Sequence, residues 1–286
     1  MKRVLFAVLV LQLPSVAFAD EADTHLKQCE AYKRAGKLDD AIQECEKAIS
    51  LRETASAHFT LGSIYRQRQQ WDYSMAHLEA AAKLQPNWAP IRSNLGAAYL
   101  RQGRLDDAQR ELEKAVSLDA KDADAQSNLG VLYRQRKQPD KALEHLSAAA
   151  QLKPNDPMTL NNLGVAQRQA GKLDEALATF KKAAELKSED AELHFNMGTI
   201  YRRKNDYDNA IAEYTKAISL RNTFAEPHYD LGIVFEQKRQ HEEAIAHFKR
   251  YLELTAGKNP KEAEEVRAKI KALEGGGESN VKIKKN

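Results

Sequence analysis

Arginine recurs along this chain at a fixed spacing. The steps from Arg134 to Arg168 and from Arg168 to Arg202 are 34 residues each. A guanidinium group can hold a carboxylate through two parallel N–H···O hydrogen bonds, so a series of arginines suits an acidic segment or a C-terminus. The cations of this series and its neighbours are Lys33, Arg66, Arg101, Arg134, Arg168 and Arg202. The pattern predicts an anionic ligand; a solvated charged face is the alternative.

A second series lies six residues before the arginines and consists of Asn94, Asn128, Asn162 and Asn196. Six residues are two steps of three, so both series fall along one stripe of a helix. A carboxamide both donates and accepts hydrogen bonds, as the backbone of an extended peptide does. Phe59, Phe195 and Tyr229 stand one residue before members of the same register. These three rings predict an apolar contact with a ligand or packing inside the protein, and the asparagines equally suit a structural role.

The elements that carry these residues repeat with the same period. Glycines recur every 34 residues at Gly62, Gly96, Gly130, Gly164, Gly198 and Gly232. A leucine or methionine precedes each glycine, and an aromatic residue follows most of them by three positions. Twelve residues after each glycine comes a small residue, followed by a second apolar helical pattern. Each repeat is therefore predicted to be a helical hairpin, whose glycine and small residue allow its two helices to approach closely.

The stretch "NLGVLYRQRKQPDKALEHLSAAAQLKPN" resembles a tetratricopeptide repeat. The family pattern is met by Leu129, Gly130, Tyr133, Ala142, Leu146 and Pro154. The resemblance implies an all-α, right-handed superhelical solenoid of antiparallel helix pairs. It also implies that the first helix of each pair lines a concave groove, so that the arginine and asparagine series face inward. The sequence departs from the family pattern at several positions, including Gln167 in place of the aromatic residue and Ser74 in place of the alanine.

The resemblance extends over residues 22–258 and predicts seven repeats. Their expected bounds are 22–54, 55–88, 89–122, 123–156, 157–190, 191–224 and 225–258. Residues 261–274 then form an amphipathic pattern that suits a capping helix, because the end of a solenoid must present a polar outer face. Residues 275–286 are predicted to be a flexible basic tail, since their composition cannot bury a core.

The first 19 residues have the pattern of a secretory signal peptide. Lys2 and Arg3 precede an apolar stretch, and Ala17 and Ala19 frame a cleavage site before Asp20. The apolar stretch falls short of the roughly 20 residues that span a bilayer, which disfavours a membrane anchor. The sequence thus predicts an exported protein, periplasmic in a bacterium with two membranes, and without an integral membrane segment after cleavage.

Loss of Lys2 and Arg3 on cleavage changes the balance from 44 to 42 basic residues against 41 acidic ones. The formal charge falls accordingly from +3 to +1. Nucleic-acid binding calls for a strong basic excess, so nucleic acid is not an expected partner.

Cys29 and Cys45 are the two cysteines of the chain. Counting from Ala41 places Cys29 in the glycine register and Cys45 in the register where other repeats carry Leu, Phe or Tyr. Both residues should point into the seam of the first hairpin, and an exported protein folds where disulfides persist. A disulfide that staples the first repeat is expected, and two buried free thiols are the alternative.

The sequence contains no pattern typical of an enzyme or of a bound cofactor. It has no phosphate-binding glycine loop and no cysteine cluster with metal-ligand spacing. His77, His145 and His247 share one register on the second helix of their repeats, which indicates a surface feature of the repeat rather than a metal site. We therefore expect no catalytic residues, no cofactor and no metal.

The predicted function is that of a non-catalytic exported scaffold that binds a partner protein or an extended, acidic peptide in its groove. A chaperone or assembly factor for secretion, pilus, motility or polysaccharide-export machinery, associated with an envelope complex, is the alternative. An envelope enzyme is the third and least supported class.

Overall fold

The structure is a computed structural model that describes residues 13–256 and 259–283, with side chains described for 20–256 and 259–275. Within these residues the chain forms fifteen α-helices and no β-strand. The predicted all-α array of helices is confirmed. The helices divide after Arg136 into two compact units, unit 1 and unit 2.

Unit 1 holds seven helices, and the first six of them pack as three pairs. They are α1 (Leu13–Arg34), α2 (Leu38–Leu51), α3 (Ala55–Gln67), α4 (Trp71–Leu84), α5 (Ala89–Arg101), α6 (Leu105–Leu118) and α7 (Ala123–Gln135). The helices α1 and α2, α3 and α4, and α5 and α6 share the largest contacts.

Unit 2 holds the remaining eight helices. They are α8 (Pro139–Leu152), α9 (Pro157–Gln169), α10 (Leu173–Leu186), α11 (Ala191–Arg203), α12 (Tyr207–Leu220), α13 (Ala225–Gln237), α14 (His241–Leu254) and α15 (Pro260–Ile283). Here α9 pairs with α10, α11 with α12 and α13 with α14.

The turn inside each pair depends on one residue with left-handed backbone. Gly103 has φ +73° and Gly171 has φ +79°, values that glycine adopts without steric cost. After Gly103, the Arg104 N–H donates to the Tyr99 carbonyl at 3.0 Å, which satisfies a carbonyl that the end of α5 leaves open. Asn205 takes the same conformation with φ 60°. These short turns return each second helix against its first helix.

The repeated glycines make room for a large side chain of the partner helix. A Cβ placed on Gly96 would lie 2.5 Å from Leu112 Cγ, and one on Gly232 would lie 2.5 Å from Phe248 Cε1. The sequence analysis expects the glycine and the small residue to allow close approach of the two helices, and a Cβ on Gly62 would indeed lie 3.1 Å from the Ser74 backbone oxygen. The space belongs mainly to the leucine or aromatic residue four positions after the small residue, which is fully buried there.

First helices of neighbouring pairs also contact one another. In unit 1, α1 contacts α3 and α5 contacts α7; in unit 2, α9 contacts α11 and α11 contacts α13. Side chains on the first helices are thereby brought together across repeats. This layer positions the predicted arginine and asparagine series.

Part of the predicted signal segment lies outside the described residues, which begin at Leu13. From there α1 runs without a break past the predicted cleavage site to Arg34. No helix in the described part of the chain has the length and apolar character needed to cross a membrane.

At the other end, α15 extends beyond the predicted 261–274 into the segment expected to be a tail. Its Val266, Ile270 and Leu273 are buried in one cluster with Phe248 and Tyr251 of α14. The last residues of the predicted tail, 284–286, lie outside the described residues.

Candidate functional site

In unit 1, Arg134 is the cation of the predicted series with the least compensation. Its side chain is half-buried on α7. It makes no hydrogen bond or ion pair with any residue that the structure describes. Burial alone lowers the pKa of its guanidinium, because no carboxylate lies close enough to oppose that effect. A half-buried cation without a counter-ion is unfavourable unless an anion reaches it from outside.

Arg66 and Lys33 form the other end of the cationic series in unit 1. Arg66 is exposed, whereas Lys33 is half-buried. Burial lowers the pKa of Lys33, the positive charge of Arg66 lowers it further, and Glu30 opposes both. The two cations are thus close enough to repel each other, which favours an anion beside them.

Arg101 has a different environment from the rest of its series. Its guanidinium lies over the ring of Trp71, 4.0 Å from the ring centroid. This is a cation–π contact between α5 and α4, and it holds an exposed arginine in place. This contact gives Arg101 a structural role, so its place in the series does not require a ligand.

The asparagines of unit 1 lie on α5 and α7, the first helices of their repeats. The Asn94 amide donates to the Pro90 carbonyl of its own helix at 2.8 Å, which leaves its oxygen as an acceptor. Asn128 is half-buried on α7, six residues before Arg134. We call the surface made by Lys33, Arg66, Asn94, Asn128 and Arg134 the first-helix face of unit 1.

In unit 2 the asparagine series is partly used inside the protein. Asn196 is only 6% exposed, and its amide donates to the side-chain oxygen of Asn161 at 3.3 Å. Asn162 is half-buried in the neighbouring first helix. Asn196 therefore links α11 to α9, and it has little surface left for a ligand. Its partner Asn161 was not singled out from the sequence.

The arginines of unit 2 share an internal carboxylate. Arg202 Nη2 lies 3.5 Å from Asp230 Oδ1, and the Tyr214 hydroxyl donates to Asp230 Oδ2 at 3.0 Å. Burial raises the pKa of Asp230, while the charges of Arg202 and Arg168 and the bond from Tyr214 oppose the rise. Burial and the Asp230 charge also raise the pKa of Tyr214. The cationic series is thus partly neutralised here by the protein itself.

The three predicted aromatic contacts are all packing contacts in the structure. Phe59 lies 5.1 Å from Trp88, centroid to centroid. Phe195 lies 5.1 Å from Phe224. Tyr229 lies 5.3 Å from Tyr251, and all three of the predicted rings remain half-buried. Each ring is therefore partly used in packing inside the protein.

A further polar series joins the two helices of a pair and was missed by the sequence analysis. It links the fourth residue of a repeat to the residue 19 positions later. Its members are His25 with Glu44, His58 with His77, Arg92 with Glu111, His194 with Glu213, and His228 with His247. The constant spacing of 19 residues in the sequence is the signal that could have predicted these pairs.

Two of these pairs consist of histidines alone. The Nδ1 atoms of His58 and His77 are 2.9 Å apart, and those of His228 and His247 are 3.0 Å apart. Burial, the neighbouring charge of His247 and, to a smaller extent, that of Arg250 lower the pKa of His228 to about 4, and only Glu253 opposes them. Among the described residues, no group of three or more His, Cys, Asp or Glu side chains is arranged to hold a metal ion.

Cys29 and Cys45 are joined in the structure, with their Cα atoms 5.3 Å apart. Both are fully buried in a cluster with Ala41, Leu61 and Ile64. The bond therefore ties α1 to α2 at the place where α3 packs against them.

Solved structures with the same arrangement of helices include three that cover most of this chain. The APC/C hetero-tetramer Cut9-Hcn1 matches at a TM-score of 0.69 and 20% identity, over 92% of this chain and 49% of that one. PilF of Pseudomonas aeruginosa matches at a TM-score of 0.64 and 21% identity, over 75% of this chain and 97% of that one. YrrB, a tetratricopeptide-repeat protein with an unusual peptide-binding site, matches at a TM-score of 0.53 and 24% identity, over 62% of this chain and 92% of that one. At these sequence identities, the similarity shows that this chain shares their fold and nothing more.

No curated protein sequence matches the chain significantly. Family models do match it. Residues 225–257 match the tetratricopeptide repeat, and residues 10–230 match the cilia and flagella-associated protein 70 C-terminal domain, a tetratricopeptide-repeat model. The chain belongs to this family of tetratricopeptide-repeat domains.

Proposed function

We propose that this protein is an exported, non-catalytic scaffold that binds an extended acidic segment of a partner protein on the first-helix face of unit 1. Proteins with this repeat are in general scaffolds that bind other proteins or peptides. The observation that carries the acidic preference is Arg134, a half-buried guanidinium without an ion pair in the described structure. A ligand carboxylate would supply the missing counter-charge through two hydrogen bonds.

The contrast between the units supports this location. In unit 2, Asp230 already lies beside Arg202, so an incoming carboxylate would meet like charge. In unit 1, Lys33 and Arg66 repel each other, and a bound anion would relieve that repulsion. Acidic residues of the ligand are therefore expected on unit 1.

The asparagine contacts favour a scaffold over a general chaperone. A chaperone that holds many chains would read the peptide backbone through several free carboxamides. Here the side-chain N–H groups of Asn94 and Asn196 already donate hydrogen bonds to other residues of the protein. Selection by charge on one unit suits a single dominant partner better than many.

Two features support export. The N-terminal sequence has the signal-peptide pattern, and the joined Cys29 and Cys45 suit an oxidising compartment such as the periplasm.

The test is a binding titration with a glutamate-rich peptide and the same peptide with glutamine in place of glutamate. Arg134→Gln should weaken binding of the acidic peptide about 10- to 150-fold, because a charge-assisted hydrogen bond contributes about 1.5–3 kcal/mol. The matched control is Arg110→Gln, which removes an exposed arginine of α6 paired with Asp107. It should leave the affinity unchanged.

Stability separates binding from a structural role for Arg134. Since the side chain has no ion pair to lose, Arg134→Gln should leave the urea unfolding midpoint unchanged or raise it. The proposal would be wrong if both peptides bound equally well, or if Arg134→Gln and Arg110→Gln had the same effect.

A further inference from the structure

The two histidine pairs repeat one local arrangement in two separate repeats. His58 on α3 faces His77 on α4, and His228 on α13 faces His247 on α14. In both pairs the ring centroids are 5.2 Å apart. The first histidine of each pair is buried, and the second is half-buried.

We propose that each histidine pair is a two-nitrogen binding site for a divalent transition-metal ion, with Cu(II) preferred. Imidazole nitrogen is a good ligand for copper, nickel and zinc, and affinity rises to its maximum at copper. Water would fill the remaining coordination positions, since no third protein ligand is arranged at either pair within the described residues.

The distance between the nitrogens fits a square arrangement better than a tetrahedral one. Two nitrogens 2.9–3.0 Å apart, each about 2.0 Å from an ion, subtend an angle of about 90° at that ion. This is the angle between adjacent ligands in the tetragonal geometry of Cu(II) and Ni(II). Tetrahedral Zn(II) needs a wider separation, so zinc should bind more weakly.

Neighbouring side chains hold the rings in this arrangement. Tyr65 stacks on His77 with 7° between the ring planes, and Phe235 stacks on His247 with 12°. At the first pair, His58 Nε2 lies 3.1 Å from Glu53 Oε1. A proton on Nε2 donated to that carboxylate leaves Nδ1 with a lone pair, which is how a second-shell carboxylate orients a metal-binding histidine.

The two pairs should differ in affinity. Glu53 brings a negative charge to the first pair, whereas Arg250 lies near the second pair and is itself hydrogen-bonded to Glu253. A cation is therefore favoured more at His58 and His77. The pairs His25–Glu44 and His194–Glu213 occupy the same register but offer one nitrogen each.

The experiment titrates CuCl₂ into the full chain without an affinity tag, in a buffer that does not bind copper. Isothermal calorimetry gives the number of sites, and electron paramagnetic resonance counts the nitrogen ligands. Threonine stands in the His77 register of another repeat, at Thr179, so His77→Thr and His247→Thr are substitutions that the repeat accommodates. His241→Gln, a change outside the pairs, is the matched control.

We expect the wild type to bind about two more equivalents of copper than the double variant His77→Thr/His247→Thr. Each single variant should lose one equivalent, with the tighter one lost in His77→Thr, and the control should lose none. The resonance spectrum of the wild type should show two nitrogens per ion.

Equal copper binding by the wild type and the double variant would overturn the proposal, as would a wild-type spectrum with oxygen ligands alone. The spectrum is recorded on the wild-type protein, so it tests whether nitrogen binds the copper even if a substitution disturbs folding. Loss of copper in His77→Thr alone would uphold the proposal for the first pair and overturn it for the second.

Discussion

At the residue scale, the glycine series sets how tightly the helices of a pair can pack. In unit 1, the space beside Gly96 holds the fully buried Leu112 side chain. In unit 2, the space beside Gly164 and Gly198 holds Phe180 and Tyr214. The glycine is therefore needed for volume, since it lies inside a helix where its backbone freedom is a cost.

Gly96→Ala tests this role. The new Cβ would lie 2.5 Å from Leu112 Cγ and 3.2 Å from the Leu112 backbone nitrogen. Overpacking costs about 1–3 kcal/mol, and the higher helix propensity of alanine returns about 1 kcal/mol. We expect a net loss of about 1 kcal/mol in the free energy of unfolding, measured in urea. Gly275→Ala should cause no loss, because the added Cβ would meet nothing within 4 Å; equal effects at both positions would disprove the volume argument.

Asp156 shows how one carboxylate starts a helix and makes its stability depend on pH. It accepts the Thr159 N–H at 2.8 Å at the N-terminus of α9. Burial raises the pKa of Asp156, but the hydrogen bonds from Thr159 and the charge of Lys153 outweigh it and hold the pKa below its usual value. A lowered folded-state pKa gives stability that is present above pH 4 and lost as the pH falls through the folded pKa.

Asp156→Ala should therefore cost about 1 kcal/mol at pH 7, a typical value for loss of an N-cap. The difference from the wild type should shrink between pH 7 and pH 3, because the contribution of the carboxylate is lost as the pH falls below the unfolded pKa and through the folded one. Unfolding midpoints at the two pH values measure it. A penalty that is the same at both pH values would show that the carboxylate charge has no part in the cap.

At the element scale, helix pairs could be predicted from sequence because each depends on a local pattern. Alternation of small and large residues fixes both helices of a pair, and the same register brings Cys29 and Cys45 to one seam. Contacts between different repeats could not be predicted in this way. The bond from Asn196 to Asn161 joins residues 35 positions apart, and the partner of Arg202 is an aspartate in the next repeat.

The first helix pair is the one that carries a covalent link. The bond between Cys29 and Cys45 closes a loop with a sequence separation of 16, which corresponds to about 3 kcal/mol in the chain-entropy account. Cys29→Ala/Cys45→Ala should lower the stability of unit 1 by about this amount.

Intact mass of the exported protein checks the bond itself. Denatured protein that has not been reduced should take up no alkylating agent, and reduced protein should take up two equivalents. Uptake of two equivalents without reductant would mean that the thiols are free.

At the scale of the whole molecule, each unit has its own layer of first helices, and the two layers differ in how their cations are compensated. Unit 1 carries Lys33, Arg66 and Arg134 on its first helices, and no carboxylate of the described residues pairs with Arg134. In unit 2, by contrast, Asp230 lies beside Arg202. Sequence periodicity could predict the stripe, because the positions repeat. It could not predict which arginines remain available, since that depends on one aspartate that replaces an asparagine of the series.

The most direct test is site-specific photo-crosslinking in the cells that produce the protein. A photoreactive residue replaces Asn94 on the first-helix face of unit 1 or, as a control, Gln109 on α6. The account predicts one dominant light-dependent adduct in the exported fraction at Asn94, strongly reduced by Arg134→Gln, and no such adduct at Gln109. An equal adduct at Gln109, or an Asn94 adduct unaffected by Arg134→Gln, would contradict it.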